Sequence, residues 1–159
     1  AFGAGGTVTA GNASGINDGA AAVVVGSAGK FAALGIKAQA RILGYASFSR
    51  EPEWFTLAPI GAIGRLLERL SLSVAKVDLF EVNEAFSVVP MAVMQELGVP
   101  HDKMNVHGGA VALGHPIGAS GARVLVTLLG AMNQRNAKIG VASLCIGGGE
   151  AVAMAVEAG

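Results

Sequence analysis

Short apolar runs broken by glycine-rich stretches constrain this chain most. Its 159 residues include 24 glycines, 52% are hydrophobic and 14% are charged. The longest apolar stretches, such as Ala20–Val25, fall far short of the ~20 residues that a bilayer-spanning helix needs. The apolar content therefore predicts deep burial rather than membrane insertion, with some of that surface facing a partner chain. The length suits one domain, or one and a fraction. The formal net charge is zero, which gives no electrostatic reason for a nucleic acid or an anionic membrane as partner. The first residues show no basic-then-apolar signal. The single cysteine, Cys145, excludes an internal disulfide and suits a reducing compartment.

The order of segments points to an α/β layered domain. Residues 3–19 are rich in Gly, Ser, Thr and Asn and read as an ordered loop. Ala20–Val25 is expected to be a buried strand, Lys30–Leu34 a short helix ending at Gly35, and Ala40–Phe48 a second strand. Pro59 suits a first helical turn, and Ile60, Ile63, Leu66, Leu67 and Leu70 recur at helical spacing opposite Arg65, Glu68 and Arg69. Val77–Val82 reads as a third strand, and Asn83 as the start of a helix stopped by Gly98 and Pro100. After the glycine-rich residues 108–121, Ala122–Met132 is apolar on nearly all faces and reads as a buried central helix. Ile139–Cys145 and Ala151–Val156 are strands joined across Gly147–Gly149. Five strands among helices predict a mixed sheet with helices layered on it.

Three places could carry chemistry. His115 lies between Gly114 and Pro116. Proline holds the preceding residue extended, and glycine lets a ligand or another backbone approach. A histidine fixed so is either a general base or donor or a structural residue of a tight turn. Cys145 ends an apolar strand and is followed by Gly147, Gly148 and Gly149. It reads either as a proton carrier or nucleophile beside N–H groups able to bind an oxyanion, or as a small buried hydrophobe. Asn83 follows a strand, where α/β sheets bind ligands, but asparagine is also a favoured N-cap. Gly26-Ser27-Ala28-Gly29-Lys30 is too short for a phosphate loop. The three histidines and one cysteine lack a zinc spacing.

Four segments together resemble the thiolase family, and the match runs over nearly the whole chain. The segment from Gly6 to Gly15, Gly-Thr-Val-Thr-Ala-Gly-Asn-Ala-Ser-Gly, resembles the family's loop along coenzyme A. Asn83-Glu84-Ala85-Phe86 resembles its N-E-A-F motif. Gly108 through Gly114-His115-Pro116 to Gly121 resembles its histidine segment, and Cys145-Ile146-Gly147 its C-x-G motif. The fold implied is a thiolase-like C-terminal domain, with layered helices around a mixed, five-stranded-type sheet. Residues 1–38 would be a loop and last strand of the N-terminal domain, and 39–159 the C-terminal domain.

The resemblance implies acyl transfer between CoA thioesters by reversible Claisen condensation, two acetyl-CoA giving acetoacetyl-CoA and CoA. His115 would activate a nucleophilic cysteine and then share an oxyanion hole with a water held by Asn83. Cys145 would move the proton at the substrate α-carbon. The Gly147 N–H would serve a second oxyanion hole. Phe2, Ala10, Ser14 and Ile16 would lie along the pantetheine, with Phe55, Ala85 and Phe86 near the acyl pocket. Coenzyme A would be substrate and product, with no tightly bound cofactor and no metal ligands. A potassium ion beside the Thr9–Ser14 loop is a feature of one mitochondrial-type subgroup that Phe55–Pro59 resembles. Decarboxylating relatives usually have histidine where Cys145 stands.

His107 departs from the asparagine of many members. The family's nucleophilic cysteine belongs to an N-terminal half, and Cys145 cannot fill both roles, so this chain alone is expected to be inactive. Its expected partners are acyl-CoA, that N-terminal half, and further copies in a homodimer or homotetramer. The expected location is cytoplasmic, or the mitochondrial matrix or peroxisome in a eukaryote. The other reading is a non-catalytic CoA- or acyl-binding scaffold subunit, which intact His115, Cys145 and Asn83 argue against.

Overall fold

The computed structural model describes residues 3–159. Its elements are α1 (Ala28–Ala33), β1 (Ala40–Ser49), α2 (Ala58–Arg69), β2 (Leu79–Val82), α3 (Val88–Leu97), α4 (Ala110–Leu113), α5 (Ser120–Arg135), β3 (Ile139–Ile146) and β4 (Glu150–Ala158). A 3-10 turn, Pro52–Leu57, leads into α2. The strands form one mixed sheet in the order β1-β4-β3-β2. The pairs β1/β4 and β4/β3 are antiparallel and β3/β2 is parallel.

Alternation along the strands divides the core between the two faces of the sheet. Phe80, Val82, Val141, Ala151, Ala153 and Ala155 turn to one face, against Ile63, Leu66 and Leu67 of α2 and Val89 and Val93 of α3. Leu79, Ala142 and Val156 turn to the other, against Leu128, Ala131 and Met132 of α5. The result is three layers, helix–sheet–helix. The face of α2 expected to be apolar is indeed the packed one, while Arg65, Glu68 and Arg69 are exposed.

The sheet has four strands among the described residues, not five. Ala20–Val25 forms no strand, and Val24 and Val25 are 85% and 70% exposed. A strand needs a neighbour for its backbone N–H and C=O groups, and this segment finds none in the sheet; the edge beside β2 is taken by another group. There the Asn105 side chain mimics a strand, accepting from Val82 N–H and donating to Val82 C=O, each at 2.8 Å. Asn105 N–H also donates to Phe80 O.

Two helices also differ from expectation. Asn83 does not open α3, which begins at Val88. Asn83 N–H instead donates to Ser143 O, prolonging the β2/β3 pairing by a residue, and this holds the backbone extended where a helix would have begun. Helix α5 is covered on one face only, through Ser120, Val124, Leu128, Ala131 and Met132, whereas Val126 is 44% exposed. No helix among the described residues is long and apolar enough to cross a membrane.

Candidate active site

The glycines around His115 set its position. Gly109 packs so closely on Glu84 that a Cβ there would lie 2.3 Å from the Glu84 carboxyl carbon. The Glu84 carboxylate accepts from Val111 N–H at 3.0 Å and from Asn105 Nδ2 at 3.2 Å. This clasp ties the short helix α4 to the end of β2. Gly114 then takes φ +98°, a conformation that suits glycine, and a Cβ there would collide with Asn17. The chain is thereby turned so that His115 N–H donates to Gly15 O at 2.8 Å. Ile16 and His115 form an isolated parallel bridge.

The imidazole is held from α5. His115 Nδ1 lies 2.6 Å from Ser120 Oγ, and that hydroxyl donates to Pro116 O at 3.0 Å. A carbonyl can only accept and Ser120 has one proton. Both contacts are satisfied only when Nδ1 carries the imidazole proton, which leaves the Nε2 lone pair free. Burial lowers the pKa of His115, and the nearby Arg123 cation lowers it further. The group is therefore a neutral imidazole with Nε2 open as base or acceptor.

Arg123 lies one turn beyond Ser120 on α5. Its Nη1 donates to Glu81 Oε1 and its Nη2 to Asn83 Oδ1, both at 3.2 Å. Glu81 and Asn83 are 2% and 1% exposed. Burial raises the Glu81 carboxyl to about 7 against the pull of Arg123. Asn83 Nδ2 finds no acceptor among the described residues, so a buried donor remains available.

The polar loop closes on the Asn83 segment. Ser14 N–H and Oγ both donate to Ala85 O, at 3.1 and 3.0 Å. Ala13 pairs with Phe86, and Ser87 N–H donates to Asn12 O. Phe86 meets Phe55 edge-on with ring centroids 6.2 Å apart. Cys145, half-buried near the end of β3, lies opposite Ala151 and packs against the core that includes Phe86. Burial raises its thiol pKa, so it is a protonated thiol at neutral pH. Gly147 is exposed in the turn between β3 and β4.

Thus Ser14, Ala85, Phe86 and Phe55 are joined by contacts, and His115 and Asn83 by α5 through Ser120 and Arg123. Cys145 and Gly147 join this group only through strand β3, whose Ser143 holds Asn83. Ala10 and Ile16 are exposed, Ile16 at 81%, and Phe2 lies outside the described residues. In the Thr9–Ser14 loop, beside which potassium is expected, the side-chain oxygens are engaged by the chain itself. Asn12 Oδ1 and Thr9 Oγ1 accept from the loop's own N–H groups, and Ser14 Oγ is turned to Ala85 O. No cluster of His, Cys, Asp or Glu able to hold a metal occurs among the described residues.

Sequence reasoning passed over Ser120, Arg123, Glu81 and the Glu84–Asn105 clasp. One signal was present. A lone Arg in an otherwise apolar helix and a lone Glu in the apolar strand Leu79–Val82 indicate a buried, paired charge.

A layered α/β domain thus carries a neutral histidine, a thiol and a loop folded over an Asn-Glu-Ala-Phe segment. The comparisons give it a family. The family described as Thiolase, C-terminal domain, matches residues 36–158, and that described as Thiolase, N-terminal domain, matches residues 1–29. The chain belongs to the thiolase family. It is 57% identical over 157 residues to an acetyl-CoA acetyltransferase of Chromobacterium violaceum, covering 99% of this chain and 40% of that one. It is 52% identical over 153 residues to acetyl-CoA acetyltransferase 2 of Arabidopsis thaliana, covering 96% and 38%.

Among solved structures, an acetyl-CoA acetyltransferase of Bacillus anthracis superposes with TM-score 0.96 at 45% identity, covering 99% of this chain and 40% of that one. A human mitochondrial 3-ketoacyl-CoA thiolase in complex with CoA gives TM-score 0.91 at 36% identity, covering 100% and 40%. The chain spans about 40% of the length of these relatives.

Proposed function

We propose that this segment supplies the proton-transfer and oxyanion-binding half of a thiolase active site, acting on acetyl-CoA and acetoacetyl-CoA. The observation that carries the reading is that two side chains, each held by a residue of α5, are left with one open group apiece. These are His115 Nε2, freed by the Nδ1–Ser120 hydrogen bond, and Asn83 Nδ2, freed because Arg123 takes Oδ1. The relatives named acetyl-CoA acetyltransferase support the short-chain substrate.

In cleavage, a cysteine from the N-terminal half attacks the 3-oxo carbon, and neutral His115 takes its thiol proton. The bond between the α and 3-oxo carbons then breaks. Its electron pair passes to the α-carbon as an enolate, whose thioester oxygen faces His115 and a water donated to by Asn83. Cys145 gives its proton to that α-carbon and releases acetyl-CoA. A second CoA thiol gives its proton to the Cys145 thiolate and takes the acyl group, the nucleophile leaves as a thiolate that His115 reprotonates, and the Gly147 N–H binds the carbonyl oxygen meanwhile. Condensation reverses each step, with the Cys145 thiolate taking the α-proton. The protonated state of Cys145 suits the acid role, and the neutral state of His115 the base role.

Ser14, Ala10, Ile16 and Phe2 lie along the pantetheine in this reading, with Phe55, Ala85 and Phe86 near the acyl group. Residues 1–38 pack with the N-terminal domain, which accounts for the exposure of Val24 and Val25. The lone thiol accords with a cytoplasmic, matrix or peroxisomal setting, and complete chains would assemble as a dimer or tetramer. The test is reconstitution. The 159-residue chain alone is expected to show no thiolytic cleavage of acetoacetyl-CoA, and addition of the N-terminal half to restore it. Turnover by the chain alone overturns the reading, as does no turnover by a correctly folded complex.

A further inference from the structure

Arg123 has no part in the steps above, although it is a charge held inside the domain. Its neighbours show what it does. The guanidinium carries donors only, so its approach to the buried Asn83 amide at 3.2 Å must be to Oδ1. Nδ2 is then the end left without an acceptor among the described residues. The orientation of this amide, which decides whether the site is offered a donor or an acceptor, is thus set by Arg123.

The guanidinium is itself fixed. Nη1 donates to Glu81 Oε1 at 3.2 Å and approaches Thr127 Oγ1 at 3.4 Å, while Thr127 donates to Arg123 O. The Arg123 side chain is 17% exposed and that of Glu81 2%. Ser120, one turn away on α5, holds His115. A pair that served stability alone would need only the Glu81 contact. Here the second nitrogen is directed to Asn83 from the same helix that fixes the histidine.

We infer that Arg123 is a positioning residue that locks the Asn83 amide with Nδ2 as the donor and so sets the donor opposite His115. The inference rests on the reading of Asn83 given above. Lysine cannot replace it, because one ammonium lacks the fork that reaches Glu81 and Asn83 together.

The test is a double-mutant cycle in the full-length enzyme that carries this segment, with Arg123→Lys, Asn83→Ala and the double variant. Arg123→Lys is expected to lower kcat about tenfold, less than the roughly 10²–10³-fold of an oxyanion donor removed outright, with KM for acetoacetyl-CoA nearly unchanged. In the Asn83→Ala background the same change should cost little more, because the two act as one unit. Additive losses overturn the inference, as does a fall in Tm with kcat unaltered. Should Arg123→Lys not fold, Glu81→Gln weakens the anchor with less disturbance. It should then show the same pattern at smaller size, and an additive loss there overturns the inference equally. Failure of the underlying functional reading looks different. Asn83→Ala would then leave kcat intact, while the Asn83 side-chain amide resonances would still shift in Arg123→Lys or Glu81→Gln.

Discussion

His115 Nδ1–H donates to Ser120 Oγ across 2.6 Å, and the Ser120 hydroxyl in turn donates to Pro116 O. Ser120 and Pro116 thus select the tautomer of a histidine that lies in their own turn. Ser120 is fully buried, so this short relay is shielded from competing water.

Ser120→Ala should therefore free the imidazole to adopt the other tautomer. In the complete enzyme kcat/KM should fall about tenfold or more, since mis-setting the tautomer of a catalytic histidine is costly. Nitrogen-15 spectra of the histidine should show a raised Nε2–H population. Unaltered spectra together with unaltered kcat/KM would show that Ser120 does not control the ring.

Gly109→Ala tests the clasp from the other side. The added methyl would overlap the Glu84 carboxyl group, so Glu84 must leave Val111 N–H or α4 must shift. A loss of about 1–3 kcal/mol in stability is expected, as for overpacking, with a fall in kcat because His115 is displaced with α4. Chemical denaturation and steady-state kinetics read the two effects, and a variant as stable and active as the parent would dismiss the clasp.

Cys145→Ser separates the half-reactions. A serine hydroxyl is a far weaker acid than a thiol, so exchange of the acetyl α-proton should fall by on the order of 10²-fold or more. Acylation of the nucleophile from labelled acetyl-CoA should persist, because the Gly147 N–H is retained. Loss of acylation with exchange preserved would require the roles of Cys145 and His115 to be withdrawn.

Glu81 gives the fold its own pH dependence. Its carboxyl is raised from 4.5 to about 7 in the folded chain, so between those values the unfolded state loses its proton first. Stability from this group is complete below 4.5 and declines as pH rises through 7. His115 acts in the opposite sense. Its folded pKa lies below 6.5, so its contribution is present above 6.5 and is lost as pH falls through its lowered value. Denaturant midpoints measured against pH for the parent and Glu81→Gln should converge toward low pH and separate toward neutral pH. Parallel curves would show that Glu81 titrates normally.

Much of this protein was legible in the residues themselves. The α2 face, the strands on either side of Gly147–Gly149 and the sharp turn at His115 follow from local rules: a helical period, a period of two, and what glycine and proline permit. The family motifs are also local strings, so they could be read in order. Tertiary structure decided what local rules cannot reach. Ala20–Val25 has the composition of a strand but pairs with no strand among the described residues, and Asn105 and Met104 cover the edge beside β2. Asn83 has the composition of a helix cap but is drawn to Ser143 and Arg123 instead. The tautomer of His115, the orientation of Asn83 and the pairing of Arg123 with Glu81 each join groups far apart along the chain or settle where a single proton sits. Hydrogen-bond geometry and burial fix such matters, and they exist only once the sheet has brought β2, β3 and α5 together.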